Sequence, residues 1–290
     1  MKLQHVMQEV ARDPWAILPG KLEAILDVVR VHAAGGQLPK YEAAAARGPQ
    51  VAGGVAVVPV YGIISQRMNM MTAMSGGTST DLLAAQLDQL VADPAVKGIV
   101  LDVDSPGGSV YGVQELGDRI LAARGVKRIV AVANAQAASA AYWLASAAEE
   151  IFVTPSGEVG SVGVIAAHVD SSLAQEAEGM KWTLVTAGKY KAEMSDLVPL
   201  ASEARDYMQS RVDDYYRAFV GAVAKGRGTT PDAVRAGFGE GRMVGAKDAV
   251  RLGMADRVGT LADAIVRAGQ RPRTTDDRTR ALRQLEHEAK

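Results

Sequence analysis

A chain of 290 residues, 48% hydrophobic and 22% charged, has the composition of a globular protein with room for one large domain or two modest ones. A formal net charge of −1 offers no basic field to a nucleic acid, and the absence of cysteine excludes disulfides, thiolate metal sites and a cysteine nucleophile. No apolar run approaches the roughly 20 residues of a membrane span. The first thirteen residues lack the apolar core of a secretory signal, so a cytoplasmic setting is expected.

In chain order, Asp13-Pro14 reads as a helix start, with Asp as cap and Pro at the first position. Beyond Pro19-Gly20, the residues Leu22, Ile25, Leu26 and Val29 share one helical face, suited to packing on the body or on a neighbouring subunit. Residues 34–54, rich in Ala and Gly, read as a linker, so residues 1–53 form a helical arm and linker. The body opens with a strand at Val55–Val60. Residues 61–79 read as a long loop whose Met68, Met70, Met71 and Met74 either fill a core gap or form an adaptable apolar surface.

A helix over Asp81–Asp93, a strand over Gly98–Asp104, a helix over Val110–Ala123 and a strand over Arg128–Ala133 follow. This alternation predicts a largely parallel sheet covered by helices. An Ala-rich helix comes next, then strands at Glu150–Thr154, Ser161–Ala167 and Trp182–Thr186 and a long helix over Glu203–Lys225. Short helices at Pro231–Ala236 and Ala246–Leu252 and a final short strand, Gly253–Val258, complete the body. Residues 267–290, Arg-rich and polar, read as a solvated tail or loose helix.

Ligands of such sheets collect at the carboxyl ends of strands. Two polar stretches lie there. Ser139 stands where the strand ending near Ala133 gives way to the Ala-rich helix, and it is either a helix N-cap or a nucleophile beside exposed N–H groups. Ser105-Pro-Gly-Gly108 is a turn whose glycines let backbone N–H groups face a substrate carbonyl, or merely a tight connection. No Gly-x-x-x-x-Gly-Lys-Ser/Thr pattern follows, which counts against a phosphate cradle. A serine nucleophile needs a base. Of the four histidines, His5 and His32 lie in the arm, His287 in the tail, and His168 reads as a polar strand-end residue. That leaves a lysine, which must be desolvated to lose its proton near neutral pH. Gly188-Lys-Tyr-Lys191 carries two on a loop.

Ser105-Pro-Gly-Gly108, Ser139 within Ala-Ser-Ala-Ala-Tyr-Trp-Leu-Ala-Ser-Ala, Gly160-Ser-Val-Gly-Val164 and Gly188-Lys-Tyr-Lys191 resemble, in order and spacing, the signal peptide peptidase A family of serine proteases. The nearest branch is that of the capsid-assembly (head maturation) proteases of tailed phages and prophages. The resemblance covers residues 54–266 and implies a ClpP/crotonase-like α/β spiral of βαβ units preceded by the helical arm. It implies a Ser–Lys dyad with Ser139 as nucleophile and Lys191 as general base, Ser161 supporting the base, and the N–H groups of Gly108 and Ala140 as oxyanion hole. It implies no metal and no cofactor. It further implies peptide or protein substrates, among them capsid and scaffold proteins, and a homo-oligomeric ring in the host cytoplasm or procapsid. Family members often carry a proline soon after the base, whereas here Pro199 comes late. The rival readings are a signal-peptide-degrading bacterial peptidase, a crotonase-like acyl-CoA enzyme and an inactive procapsid component.

Overall fold

The computed structural model describes residues 13–33, 48–68 and 76–270. Its strands are β1 (Trp15–Ile17), β2 (Gln50–Ala52), β3 (Val55–Tyr61), β4 (Ile64–Ser65), β5 (Thr78–Ser79), β6 (Gly98–Ser105), β7 (Gly107–Ser109), β8 (Arg128–Ala138), β9 (Glu150–Val153), β10 (Glu158–Gly160), β11 (Met243–Gly245) and β12 (Arg257–Val258). The helices are α1 (Pro19–Ala33), α2 (Thr80–Ala92), α3 (Val113–Ala123), α4 (Ala140–Ser146), α5 (Ser172–Ala177), α6 (Ser202–Arg227), α7 (Pro231–Gly237), α8 (Ala246–Arg251) and α9 (Leu261–Gly269).

The fold is mixed α/β. β3, β6, β8 and β9 lie side by side and parallel, joined in turn by α2, α3 and α4, so each connection is a βαβ unit. The continuous apolar runs of β6 and β8 follow from burial on both faces: Ile99, Leu101, Ile129 and Ala131 join the large core with α2, α3, α4 and α6, while Val100, Val130 and Val132 pack against Ala264 and Ala268 of α9. Local chemistry fixes the helix starts. Ser79 Oγ accepts from Leu82 N–H at 3.3 Å to cap α2, and Thr260 with Asp263 forms a reciprocal capping box on α9.

β8 is the strand that matters for function. Its first part pairs with β6 and β9, the register shifts between Val103 and Ser105 of β6, and its last residues, Gln136–Ala138, pair with β10. A second, small sheet of order β1-β7-β4-β5 stands beside that end.

Several expectations need correction. Asp13-Pro14 starts no helix; Pro14 leads into β1, because β7 supplies a pairing partner that no local signal reveals. The expected linker holds β2, bonded to β3 through the Gly53-Gly54 turn, and the expected loop at 61–79 holds β4 and β5. The strand expected at Ser161–Ala167 is reduced to a single bridge at Ile165. Trp182–Thr186 forms no strand, and Trp182, Leu184 and Val185 are exposed. A strand exists through its partner's hydrogen bonds, and the described part of this chain brings none to that stretch. α9 runs to Gly269, past the expected end of the body; residues 271–290, like Met70, Met71 and Met74, lie outside the described residues.

Candidate active site

Ser139 occupies the hinge between β8 and α4 with φ 55° and ψ −118°, a left-handed conformation that side chains rarely adopt. Such strain persists only where the surroundings over-determine it. Here Ser139 N–H donates to Gly160 O at 2.7 Å, and Ser139 O accepts from Trp143 N–H at 2.9 Å. α4 itself is clamped: Trp143 stacks on Phe219 of α6 with centroids 4.7 Å apart, and the Tyr142 hydroxyl donates to Met254 O at 2.9 Å. Burial raises the Tyr142 phenol above its ordinary pKa, so this hydroxyl remains a donor.

The Ser139 hydroxyl does not cap α4. It donates instead to Gly163 O at 3.3 Å, and the residue is fully buried. The N-cap reading of this serine therefore fails on geometry, and the strained turn remains to be explained by another role for Oγ.

The Gly-rich turn approaches from the other side. Ser105 Oγ donates to Gly62 O at 2.6 Å and accepts from Gly107 N–H at 3.2 Å, which holds the turn between β6 and β7. Gly107 has φ 95°, and a side-chain carbon there would lie 2.2 Å from Ala16 O, 3.0 Å from Ala138 O and 3.1 Å from Ala140 N. The turn, the start of α4 and β1 thus converge on one point. Ala140 N–H, first in its helix, has no acceptor within it. Gly108 sits in β7 opposite Ala16 and Ile64, so close that a methyl group would stand 1.9 Å from Ile64 O.

Ser161 follows Gly160, has φ 54°, is buried, and donates its N–H to Arg242 O at 2.8 Å. Ser139, Ala140, Ser161 and the Gly107-Gly108 turn are therefore assembled by the chain. Lys191 is not among them. It is exposed on a turn where its backbone N–H donates to Gly188 O at 3.1 Å, and its amine makes no hydrogen bond or ion pair among the described residues. Lys189 is committed elsewhere: its amine donates to Glu203 Oε1 at 2.9 Å and to Tyr190 Oη at 2.9 Å, and those bonds raise its pKa. His168 Nε2 meets Ser195 O at 3.2 Å.

Residues 122–273, which include Ser139, Ser161 and Lys191, match the family model described as Peptidase family S49. The chain belongs to peptidase family S49. It is 35% identical over 252 residues to the head-tail preconnector protein GP5 of Enterobacteria phage P21, covering 83% of this chain and 49% of that protein. It is also 35% identical over 220 residues to capsid assembly protease C of Escherichia phage lambda, covering 76% and 50%. A putative signal peptide peptidase SppA of Enterococcus faecium is 31% identical over 192 residues, covering 66% and 56%. This S49 chain spans about half the length of the two phage relatives. Gly108 lies outside the segment the family model matches, and it is its neighbour Gly107 that approaches Ala138 and Ala140 on either side of Ser139. Gly160 and Gly163 lie inside the Gly160-Ser-Val-Gly-Val164 motif that the sequence singled out, but their carbonyl contacts to Ser139 were not foreseen; β1 was missed and carried only a misread Pro14.

Proposed function

We propose that this S49 chain is a serine endopeptidase working through a Ser139–Lys191 dyad. The observation that carries the reading is the buried, strained Ser139 turn facing the Gly107-Gly108 turn, an arrangement with no use in merely starting a helix. Ser139 Oγ attacks the carbonyl carbon of an extended peptide while its proton passes to the neutral Lys191 amine. The carbonyl oxygen becomes an oxyanion held by the N–H groups of Gly108 and Ala140. Collapse breaks the C–N bond, and Lys191 returns the proton to the leaving amine. Water then gives a proton to the same lysine and attacks the acyl carbon, and the acyl C–O bond breaks as the lysine returns that proton to Ser139 Oγ. Ser161 holds the lysine amine in place.

Lys191 is preferred over Lys189 because the latter is held protonated by Glu203 and Tyr190. The desolvation a lysine base requires is supplied by assembly: the exposed apolar residues Trp182, Leu184 and Val185 precede the Lys191 loop and suit an interface between copies in a ring. Residues 54–266 form the catalytic body in a ClpP/crotonase-like spiral, with 1–53 and 267–290 as arm and tail. The substrates are capsid and scaffold proteins, cut in the host cytoplasm or procapsid. Among the described residues no helix is long and apolar enough to cross a membrane.

A fluorophosphonate probe should label the wild type and leave Ser139→Ala unlabelled. Incubation with candidate capsid and scaffold proteins should yield new termini with the wild type only. Equal labelling of both, or scaffold cleavage by Ser139→Ala, would remove Ser139 as the nucleophile. Acyl-CoA turnover without labelling would favour the crotonase-like reading.

A further inference from the structure

β1 runs through the place where a peptide would have to lie. Its ladder with β7 is antiparallel, pairing Trp15 with Ser109, Ala16 with Gly108 and Ile17 with Gly107. The pairing extends past both ends: Leu18 N–H donates to Pro106 O at 3.0 Å, and Val110 N–H to Pro14 O at 3.3 Å. On the opposite edge Trp15 N–H donates to Ile165 O at 2.7 Å and Ile165 N–H to Trp15 O at 2.8 Å. Five residues, Pro14–Leu18, thus lie along β7, and Trp15 is clasped by backbone on the other edge as well.

Hydrogen-bonded pairs alternate along an antiparallel ladder. With bonds at the Leu18/Pro106 and Pro14/Val110 positions, the bonded pair between them is Ala16 with Gly108. The Gly108 N–H is therefore directed at the Ala16 carbonyl, and the contact geometry of Gly107 puts Ala16 O on the side of Ala140 N. The Ala16 carbonyl therefore lies at the Gly107-Gly108 turn, on the side where Ala138 and Ala140 flank Ser139 in sequence.

The large side chains of β1 pack outside the main core. Trp15 and Ile17 pack with Leu22 and Ile25 of α1 and with Ile63 and Ile165 in a cluster distinct from the main core. Ala16 points the other way, into the main core, and is fully buried.

We propose that Pro14–Leu18 is an intramolecular occupant of the substrate groove, which peptides must displace, and that its sequence states the preference of the groove: a small residue at the attacked carbonyl between two large apolar ones. The inference rests on the proteolytic reading for the identity of the groove. It is the strand-addition mode of peptide recognition, here satisfied by the chain itself. A groove closed for about nine-tenths of the time weakens the apparent affinity of an added peptide about tenfold.

The test uses the full chain carrying Ser139→Ala, so that nothing is cut, and a fluorescein-labelled peptide Pro-Trp-Ala-Ile-Leu read by anisotropy. Trp15→Ala/Ile17→Ala strips the satellite contacts of β1. Ala16→Pro removes its ladder donor and leaves the apolar contacts. Both variants should bind the peptide about tenfold more tightly than the otherwise unaltered chain, and Pro-Trp-Leu-Ile-Leu should bind them about tenfold more weakly. Equal affinity of all three chains overturns the occupancy, and equal affinity of the two peptides overturns the size preference. Amide exchange on the chain with no change in β1 covers the case of a misfolded variant. Trp15 and Ile165 amides should exchange together and well before those of β8, whereas exchange only with global unfolding makes β1 a fixed structural strand. These measurements need no turnover. A chain that shows them and never cleaves a protein refutes the protease reading alone; an active protease with equal affinities refutes only the occupant.

Discussion

Ser139 and Lys191 sit in regions of opposite physical character. Around Ser139 the chain supplies every constraint itself: a fully buried residue, a strained turn, backbone bonds to Gly160 and Trp143, and a helix clamped by Trp143 and Tyr142. Around Lys191, residues 181–201 contain neither helix nor strand, and Val185 is 93% exposed. A nucleophile and oxyanion donors can be positioned by one chain's packing. In the proposed mechanism the lysine base needs its amine desolvated, and the described residues place no surface over Lys191 that would do this. On the proposed reading, the nucleophile half is finished by folding and the base half is left for association to finish.

The largest effect that tests this division comes from the lysines. Lys191→Ala should lower the turnover rate by about 10⁴-fold or more, the scale of losing one member of a catalytic unit. Lys189→Ala should lose only the exposed contacts to Glu203 and Tyr190 and keep substantial activity. Peptide-cleavage rates of the two variants at equal concentration decide it. The reverse order would move the base by two residues and detach the exposed Lys191 loop from the mechanism.

Gly108→Ala comes next. Loss of one oxyanion donor lowers turnover by about 10²–10³-fold. The structure adds a second effect, because the methyl group would stand 1.9 Å from Ile64 O and force β4 and β7 apart. The melting temperature should therefore fall together with the rate. Near wild-type values of both would show that the finished half is looser than its geometry indicates.

The base half was the less legible one in sequence, for a physical reason. The parallel strands and their helices could be read because hydrophobic periodicity is local: Gly98–Asp104 was expected as a strand and Gly98–Ser105 is one. Ser139 and the Gly107-Gly108 turn could be singled out because turn chemistry is written in adjacent residues, whereas Ser161 came only from the resemblance of its motif to a family. The pattern Trp182-Thr-Leu-Val-Thr186 is equally strand-like and forms none, since pattern states a need for a partner and not its presence. β1 failed in the opposite sense. Pro14 looked like a helix start, and its role in leading a strand depends on Ser109 and Gly108, more than ninety positions away.

Val185→Asp is a smaller and sharper probe of the unfinished half. At 93% exposure the substitution should leave the melting temperature of the dilute chain nearly unchanged, within about 0.5 kcal/mol of stability. If this edge meets another copy, a buried carboxylate there weakens association, and activity should fall about tenfold and depend more steeply on protein concentration. Sedimentation velocity beside a concentration series of cleavage rates measures both. Unchanged assembly and unchanged rates would move the interface to another surface.

The smallest effect concerns a charge on the finished side. Asp104, next to Ser105 at the end of β6, has its carboxyl raised above the ordinary range, first by desolvation and then by the neighbouring Asp102. A carboxyl with a raised pKa binds its proton better in the folded than in the unfolded chain. Its contribution to stability is therefore most favourable below the ordinary carboxylate pKa, and it declines as pH rises through the folded value. At neutral pH the ionised group opposes folding. Partial exposure screens the charge, so the penalty is a few tenths of a kcal/mol, about 1 °C in melting temperature. Asp104→Asn should melt like the wild type at the acid end, pull ahead as pH passes the carboxylate range and keep that small lead at neutral pH. Its cleavage rate should be unchanged, because the turn beyond it is held by Ser105 bonding to Gly62 and Gly107 and not by the carboxylate. A variant that loses activity while gaining stability would mean that Asp104 tunes the Ser105–Ser109 turn, and that the rigid half of the site depends on charge as well as packing.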